Sequence, residues 1–557
     1  MTHDHRTTTR PRRRLRALSG LALGIATALG IMLLPGTASA AVTCVVEGST
    51  MTVTASGADT ITLTRAGTSI TVNGSPCGSA SVTTIASIAV VETVGANLDQ
   101  TLTIDLSGGP LGPGSEAETG AAEIEVSVDL GGGSDGVIVR GAGTPDVLRW
   151  GADGIAVNDD DDVDITIANA AALATRQLMG LGGNDVLTGQ GGAGTGAALT
   201  VPVDLRGGND VDSITGGEGD DSLNGGEDND SLNGRGGTDT ASYGGATGPV
   251  TVDLASGTAT GQGNDTLTEI ENVNGSDFDD TLGGDTGANR IRGGLGNDLQ
   301  NGGDGPDNLL GEEGNDTLNG GSGDDELQGG AGNDALNGDA GIDTVSYASS
   351  PVAVSADLTA GSANGDGVDT IATTENLSGS DFGDTLTGDA AANLIRGRLG
   401  NDVIGGGAGA DSLRGEEGDD VIAGGAGADT ARGGPGRDHL TGDAGADALS
   451  GEEDNDTISG GSGNDRLLGN LGNDRLNGDS GADTLRGLAG IDLLKGGSGN
   501  DRLEGGVGGD TMNGGAGADR FFARDRTRDF LNGGPGRDRA EIDRNRDVVT
   551  SVEVLVF

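Results

Sequence analysis

Aromatic side chains make up 2% of the 557 residues, and apolar residues of every kind only 33%. That is too little to build the core of an ordinary globular domain. Cysteine occurs twice, at Cys44 and Cys77, and beyond residue 40 the only histidine is His439. A zinc or copper centre built on thiolate and imidazole therefore has no ligand set. No G-x-S-x-G elbow, H-E-x-x-H helix or phosphate-binding loop occurs, which leaves the common catalytic frameworks without their residues. Positive charge is scarce too: 32 Lys and Arg stand against 87 Asp and Glu. A chain this acidic repels nucleic acid and anionic membrane surfaces and attracts cations.

The first 40 residues read as a targeting segment. Arg12, Arg13, Arg14 and Arg16 precede an apolar stretch from Ala17 to Leu34, and Ala38-Ser39-Ala40 fits a small-residue cleavage site. The expectation is a secreted chain that starts at Ala41, by the general or the twin-arginine route; the alternative is a retained membrane anchor. Cleavage would remove six arginines and one aspartate and leave 26 basic against 86 acidic residues, a charge of −60. No later segment is apolar enough to span a bilayer. Export permits a Cys44–Cys77 disulfide, with two free thiols as the alternative.

What the chain does have is glycine, 112 of them, and a nine-residue clock. Residues 460–486 read GGSGNDRLL GNLGNDRLN GDSGADTLR. Uninterrupted runs of such blocks start at Gly207 (four blocks), Gly275 (eight) and Gly379 (sixteen), ending at Ser242, Ser346 and Phe522. The sixth place is Asp in 26 of the 28 blocks, and in the third run no charged residue enters the eighth place. A solvated acidic face requires no such register. Looser copies are GLGGNDVLT from Gly180 and GGPGRDRAE from Gly533. A longer repeat overlays the short one: TDTASYGGATGPVTVDL at Thr238 returns as IDTVSYASSPVAVSADL at Ile342, pairing Tyr243 with Tyr347, Glu271 with Glu375 and Phe278 with Phe382. The organisation expected is a signal peptide at 1–40, a β-rich N-terminal domain at 41–179, and a first repeat run at 180–242. A β-insertion at 243–274, a second run at 275–346, an insertion at 347–378, a third run at 379–522 and capping strands at 523–557 complete it. Alternating stretches such as TITLTRAGTSITV make 41–179 β-rich, as a sandwich or an irregular solenoid. The acidic run Asp159–Asp162 has no glycine frame and reads as a solvated loop.

The block G-G-x-G-x-D-x-U-x, with U apolar, explains its own spacing. Glycines accept positive φ and let the first six residues turn tightly, which aims carbonyls and one carboxylate into the same concavity. The last three residues form a short strand with U on one face. Two blocks make a coil, and coils stack about 4.8 Å apart. Aspartates stacked that closely repel, so cations belong between them. Oxygen-only ligands suit Ca²⁺, whereas Mg²⁺ demands a small octahedral site. His439, at a seventh place, is expected to face solvent rather than act as a base.

This pattern resembles the repeats-in-toxin, or hemolysin-type calcium-binding, family of nonapeptide repeats. The resemblance implies an all-β fold, a parallel β-roll or β-solenoid. It also implies several Ca²⁺ ions, each held by the Asp of one block and carbonyls from the block two further on, up to about 22 ions on that rule. The ligands expected are Asp221, Asp230 and Asp239 in the first run, and Asp298, Asp307, Asp316, Asp325, Asp334 and Asp343 in the second. In the third they are Asp402, Asp411, Asp420, Asp429, Asp438, Asp447, Asp456, Asp465, Asp474, Asp483, Asp492, Asp501, Asp510 and Asp519. Asp465 and Asp483 should share one edge, with Asp474 on the other. Weaker or missing ions are expected where Asp210, Asp228 and Asp454 replace the fourth-place glycine, at Asn289 and Asn393, and at Gln300 in an apolar place. The function expected is a secreted, non-catalytic calcium-binding roll, structural or surface-associated, that folds on meeting extracellular Ca²⁺. The alternatives are an adhesin or carbohydrate-binding protein using 41–179, or a hydrolase with its site there.

Overall fold

The computed structural model describes residues 42–557 except 48, 56–59, 67–68, 82–86, 93–99, 108–124, 131–134, 158–164, 169–171 and 193–194. The expected signal peptide and the 159–162 run lie outside the described residues. Among the described residues there is no α-helix, and none is long and apolar enough to cross a membrane.

Strands alternate between two facing parallel sheets, and the clock explains why. After a six-residue turn only a short strand fits before the next glycine. The chain therefore crosses to the opposite sheet every nine residues and returns every eighteen. Thr317–Ser322 pairs in parallel with Leu299–Asp304 on one side and Ala335–Ala340 on the other. Asn308–Glu313 does the same in the facing sheet, with Arg290–Leu295 and Glu326–Ala331. We call the sheet that holds Thr317–Ser322 the first and its partner the second. Eighth-place side chains point between them: Leu467, Leu476 and Leu485 are no more than 1% exposed. Each coil thus buries two apolar side chains per eighteen residues, a thin core. Gln300 occupies this place too, fully buried, with Nε2 donating to the Leu310 carbonyl at 2.6 Å.

The two insertions are three-stranded antiparallel excursions in the first sheet. In one, Asn264–Thr268 stacks on Ser231–Asn233, the chain doubles back through Thr258–Thr260, and Thr251–Asp253 receives Thr281–Gly283. Meanwhile the second sheet runs on, Thr240–Ser242 pairing directly with Asn272–Asn274. Ser355–Asp357, Ser362–Asn364 and Val368–Ala372 repeat the arrangement. The excursions therefore do not interrupt the roll.

The same topology appears a third time in the N-terminal segment. Ile165–Ile167 stacks on Glu125–Asp129, then Gly154–Val157 and Val147–Gly151 follow antiparallel, and Val186–Thr188 resumes the parallel ladder. The described part of 41–179 is thus a solenoid on the same two sheets as the repeats, with larger core residues such as Trp150, Ile61 and Leu102. Its outermost strands are Thr43–Glu47 in the first sheet and Ser75–Ser81 in the second. Cys44 and Cys77 stand on these two strands and are joined in a disulfide, Cα atoms 5.9 Å apart. At the other end Val548–Thr550 and Val554–Val556 continue the two ladders.

Candidate metal centre in the aspartate columns

The stretch GGSGNDRLL GNLGNDRLN GDSGADTLR contains the repeating unit of the site. The Asp465 N–H donates to Oδ1 of Asp483 at 2.8 Å, and the Asp483 N–H donates to Asp501 at 2.9 Å. Asp474 makes the same bond to Asp492 at 2.9 Å. Asp465 and Asp483 therefore stand in one column, and Asp474 in the other, following the alternation of sheets. Each carboxylate spends one oxygen on the backbone of the preceding coil. Its other oxygen, Oδ2, is buried without a partner at Asp465, Asp474 and Asp483.

First-place glycine makes room for that oxygen. A Cβ on Gly478 would sit 2.5 Å from both Asp483 Oδ2 and the carbonyl oxygen of Gly496, one coil on. The carboxylate oxygen and the carbonyl thus converge on one cradle. Fourth-place Gly481 has φ +141°, where a Cβ would strike the Gly463 backbone. Asp210, Asp228 and Asp454 nevertheless adopt positive φ at this place, between 73° and 79°, as short polar side chains tolerate.

Of the 23 aspartates expected as ligands, 22 have this buried, partnerless Oδ2. Asp221 differs because its Oδ2 accepts the Gly217 N–H at 2.5 Å. Burial, opposed by the backbone hydrogen bond each accepts and helped by neighbouring carboxylates, raises the carboxyls of Asp298, Asp402, Asp438 and Asp483 to about 7. Those of Asp316, Asp420 and Asp447 rise to about 6 for the same first reason. Desolvation is the larger cause, and mutual repulsion within the column the smaller. A buried charge without a counterion is the costliest group in a protein.

The columns extend beyond the assigned residues. Asp185, Asp212 and Asp538 carry the same orphaned Oδ2, and two of them are the sixth places of the looser copies GLGGNDVLT and GGPGRDRAE. Glu271 and Glu375 also enter the columns, their Oε2 atoms accepting the N–H groups of Asp239 (2.8 Å) and Asp343 (2.9 Å). Sequence register could identify the three aspartates. The two glutamates fall outside any block and needed the fold.

Around each insertion the protein supplies its own donors. Asn289 Oδ1 accepts the Asp285 N–H and its Nδ2 donates to the Glu271 carbonyl at 2.7 Å; Asn393 repeats this with Asp389 and Glu375. Ser276 Oγ donates to Asp280 and Ser380 Oγ to Asp384, each at 2.8 Å. Neither Asp280 nor Asp384 has an orphaned oxygen. His439 is exposed, on strand His439–Ala444.

Among the described residues no group of three or more His, Cys, Asp or Glu side chains is close enough to hold a metal. Ligation here would combine one carboxylate with backbone carbonyls. That donor set fits Ca²⁺, which accepts six to eight oxygens in flexible geometry, and gives a soft metal nothing.

The family model of the RTX calcium-binding nonapeptide repeat, four copies long, matches residues 177–194, 206–241, 274–309 and 310–345. Overlapping matches cover 378–521. No curated protein matches the chain. The repeat region across 177–521 therefore belongs to the RTX calcium-binding nonapeptide repeat family, whose repeats bind Ca²⁺ at multiple sites.

Proposed function

We propose that this is a secreted, non-catalytic protein whose calcium-bound roll is its product, a structural or surface-associated element that folds outside the cell. The observation that carries this reading is the row of buried Oδ2 atoms without partners. Asp230 and Asp239 would ligate calcium in the first run, Asp298 to Asp343 at nine-residue steps in the second, and Asp402 to Asp519 likewise in the third. Calcium supplies positive charge and coordination to these oxygens; the chain's own part is to bury them and to aim the carbonyls. Without the ion, two apolar side chains per coil do not offset chain entropy and the self-repulsion of a charge of −60 left after leader removal. With it, binding free energy becomes folding free energy. The apolar leader before Ala41 supports secretion. The stacking of the described part of 41–179 on the same two sheets favours a structural role over a separate adhesive or hydrolytic module.

Far-UV circular dichroism of the full chain tests this. Coil in chelator, converting cooperatively to β-structure in millimolar calcium, is expected. A β-signal indifferent to chelator would sink the reading.

A further inference from the structure

Arginine is distributed unevenly over the roll. From Leu394 onward the second sheet carries Arg396, Arg414 and Arg432 as direct neighbours on successive strands. Further along, Arg502, Arg520 and Arg539 are neighbours in the same way, and Arg466 and Arg486 stand between the two sets. All eight occupy seventh or ninth places, flanking a buried eighth, so they lie on the outer face. Strands of the first sheet over the same coils hold only Arg475 and Lys495.

Like charges directly across a ladder destabilise a sheet. With 87 acidic residues available, each arginine had candidate partners, yet the neutralisation is incomplete. Arg432 lies 3.8 Å from Glu452, Arg539 lies 3.8 Å from Glu541, and Arg486 and Arg502 share Glu504. Arg396, Arg414, Arg466 and Arg520 are exposed and make no ion pair among the described residues. An open groove runs between Arg432 and Arg466, past Ser450 and Leu468, with Glu452, the partner of Arg432, and Glu453 along one wall.

We propose that the outer face of the second sheet, from Arg396 to Arg539, binds an acidic polysaccharide, with carboxylate or sulfate groups seated on successive guanidinium groups. Guanidinium offers a planar fork that matches both anions. The stripe is a few side chains wide: its outward places carry eight arginines against Glu504 and Glu541, and acidic residues such as Glu416 and Glu417 stand at the far ends of its strands. A single flexible polymer strand fits it, whereas a broad anionic membrane would meet the acidic edges as well. Single-stranded nucleic acid would want aromatic platforms, and the stripe offers only Phe522, already covered by Arg502 at 3.6 Å. The proposal rests on the calcium-dependent roll, because only the coil spacing lines these arginines up.

The test uses the immobilised full chain in millimolar calcium, probed with hyaluronate (carboxylate only) and dextran sulfate (sulfate only). Binding of either polymer is expected, weakening as salt rises. The Arg396→Ser/Arg414→Ser/Arg432→Ser variant should bind at least about tenfold more weakly. Serine already stands in this column at Ser450, so strand pairing should survive; if its calcium-induced dichroism is lost, Arg→Gln replacements take its place. The Arg475→Ser/Lys495→Ser control should stay within about twofold. Which polymer binds separates the two anion chemistries. Three results would overturn the proposal: no binding by a chain that folds in calcium, equal losses in both variants, or equal competition by phosphatidylglycerol vesicles or single-stranded DNA. A wild-type chain that does not respond to calcium would instead overturn the calcium reading beneath it.

Discussion

The hydroxyl of Tyr243 donates to Oδ2 of Asp265 at 3.2 Å, and 104 residues later Tyr347 donates to Asp369 at 3.0 Å. Asp265 and Asp369 are rungs of the aspartate columns, since their Oδ1 atoms accept the N–H groups of Asp230 and Asp334, each at 3.0 Å. At these rungs a buried phenol supplies the partner that the repeat aspartates lack. Burial, with the carboxylate beside each, pushes both tyrosine hydroxyls up, so they remain protonated donors. These are the only two tyrosines in the chain.

Replacing Tyr243 or Tyr347 with Phe should orphan one more carboxylate oxygen. A loss of about 1–3 kcal/mol per site is expected, the cost of an unsatisfied buried acceptor. Thermal unfolding in saturating calcium measures it, and unchanged melting in both variants would show that these bonds do not matter.

Asp483 and Asp221 should respond differently to amidation. Asp483→Asn turns an orphaned carboxylate into the arrangement already present at Asn289, so calorimetric calcium stoichiometry should fall by about one or two ions on the family's ligation rule. Asp221→Asn removes an oxygen already held by the Gly217 N–H, and stoichiometry should stay put. Equal losses would mean that hydrogen-bond satisfaction does not decide which rungs take calcium.

Acid should act in opposite directions with and without calcium. Carboxyls such as Asp298 and Asp483 are raised in the folded chain to about 7, above an unfolded value of about 3.9. The calcium-free fold therefore binds more protons than the unfolded chain between these limits. Its stability is greatest below the unfolded value and is lost as pH rises through about 7. Lowering the pH from 8 to 5 in chelator should increase β-structure. In calcium the same change should weaken ion affinity, because protons compete for Oδ2. Dichroism and calorimetry at the two pH values check both signs.

The disulfide lies at the end of the roll, so its removal should act locally. Cys44→Ser/Cys77→Ser should destabilise the N-terminal coils by about 2–4 kcal/mol while the calcium-induced transition of the repeats persists. Hydrogen exchange resolved along the chain would show whether the loss stays near Thr43–Glu47 and Ser75–Ser81 or spreads.

By itself the sequence determined the period. A glycine turn, one Asp and one apolar residue in nine places are local requirements, so Asp465, Asp474 and Asp483, and the interior Leu467, Leu476 and Leu485, could be read from it directly. It also determined that any bound cation is hard, since the repeat columns offer only oxygen. Tertiary structure decided what each Asp meets eighteen or more residues away. Asp265 is satisfied by a tyrosine, and Glu271 enters a column from outside any block. It also decided that the strands Val147–Gly151, Gly154–Val157 and Ile165–Ile167 have the topology of the two insertions, although their sequence differs from theirs, and that Cys44 and Cys77 bridge the two sheets. Neighbours in a solenoid are set by closure of the coil and by which strand the chain returns to. Those contacts have no signature within nine residues.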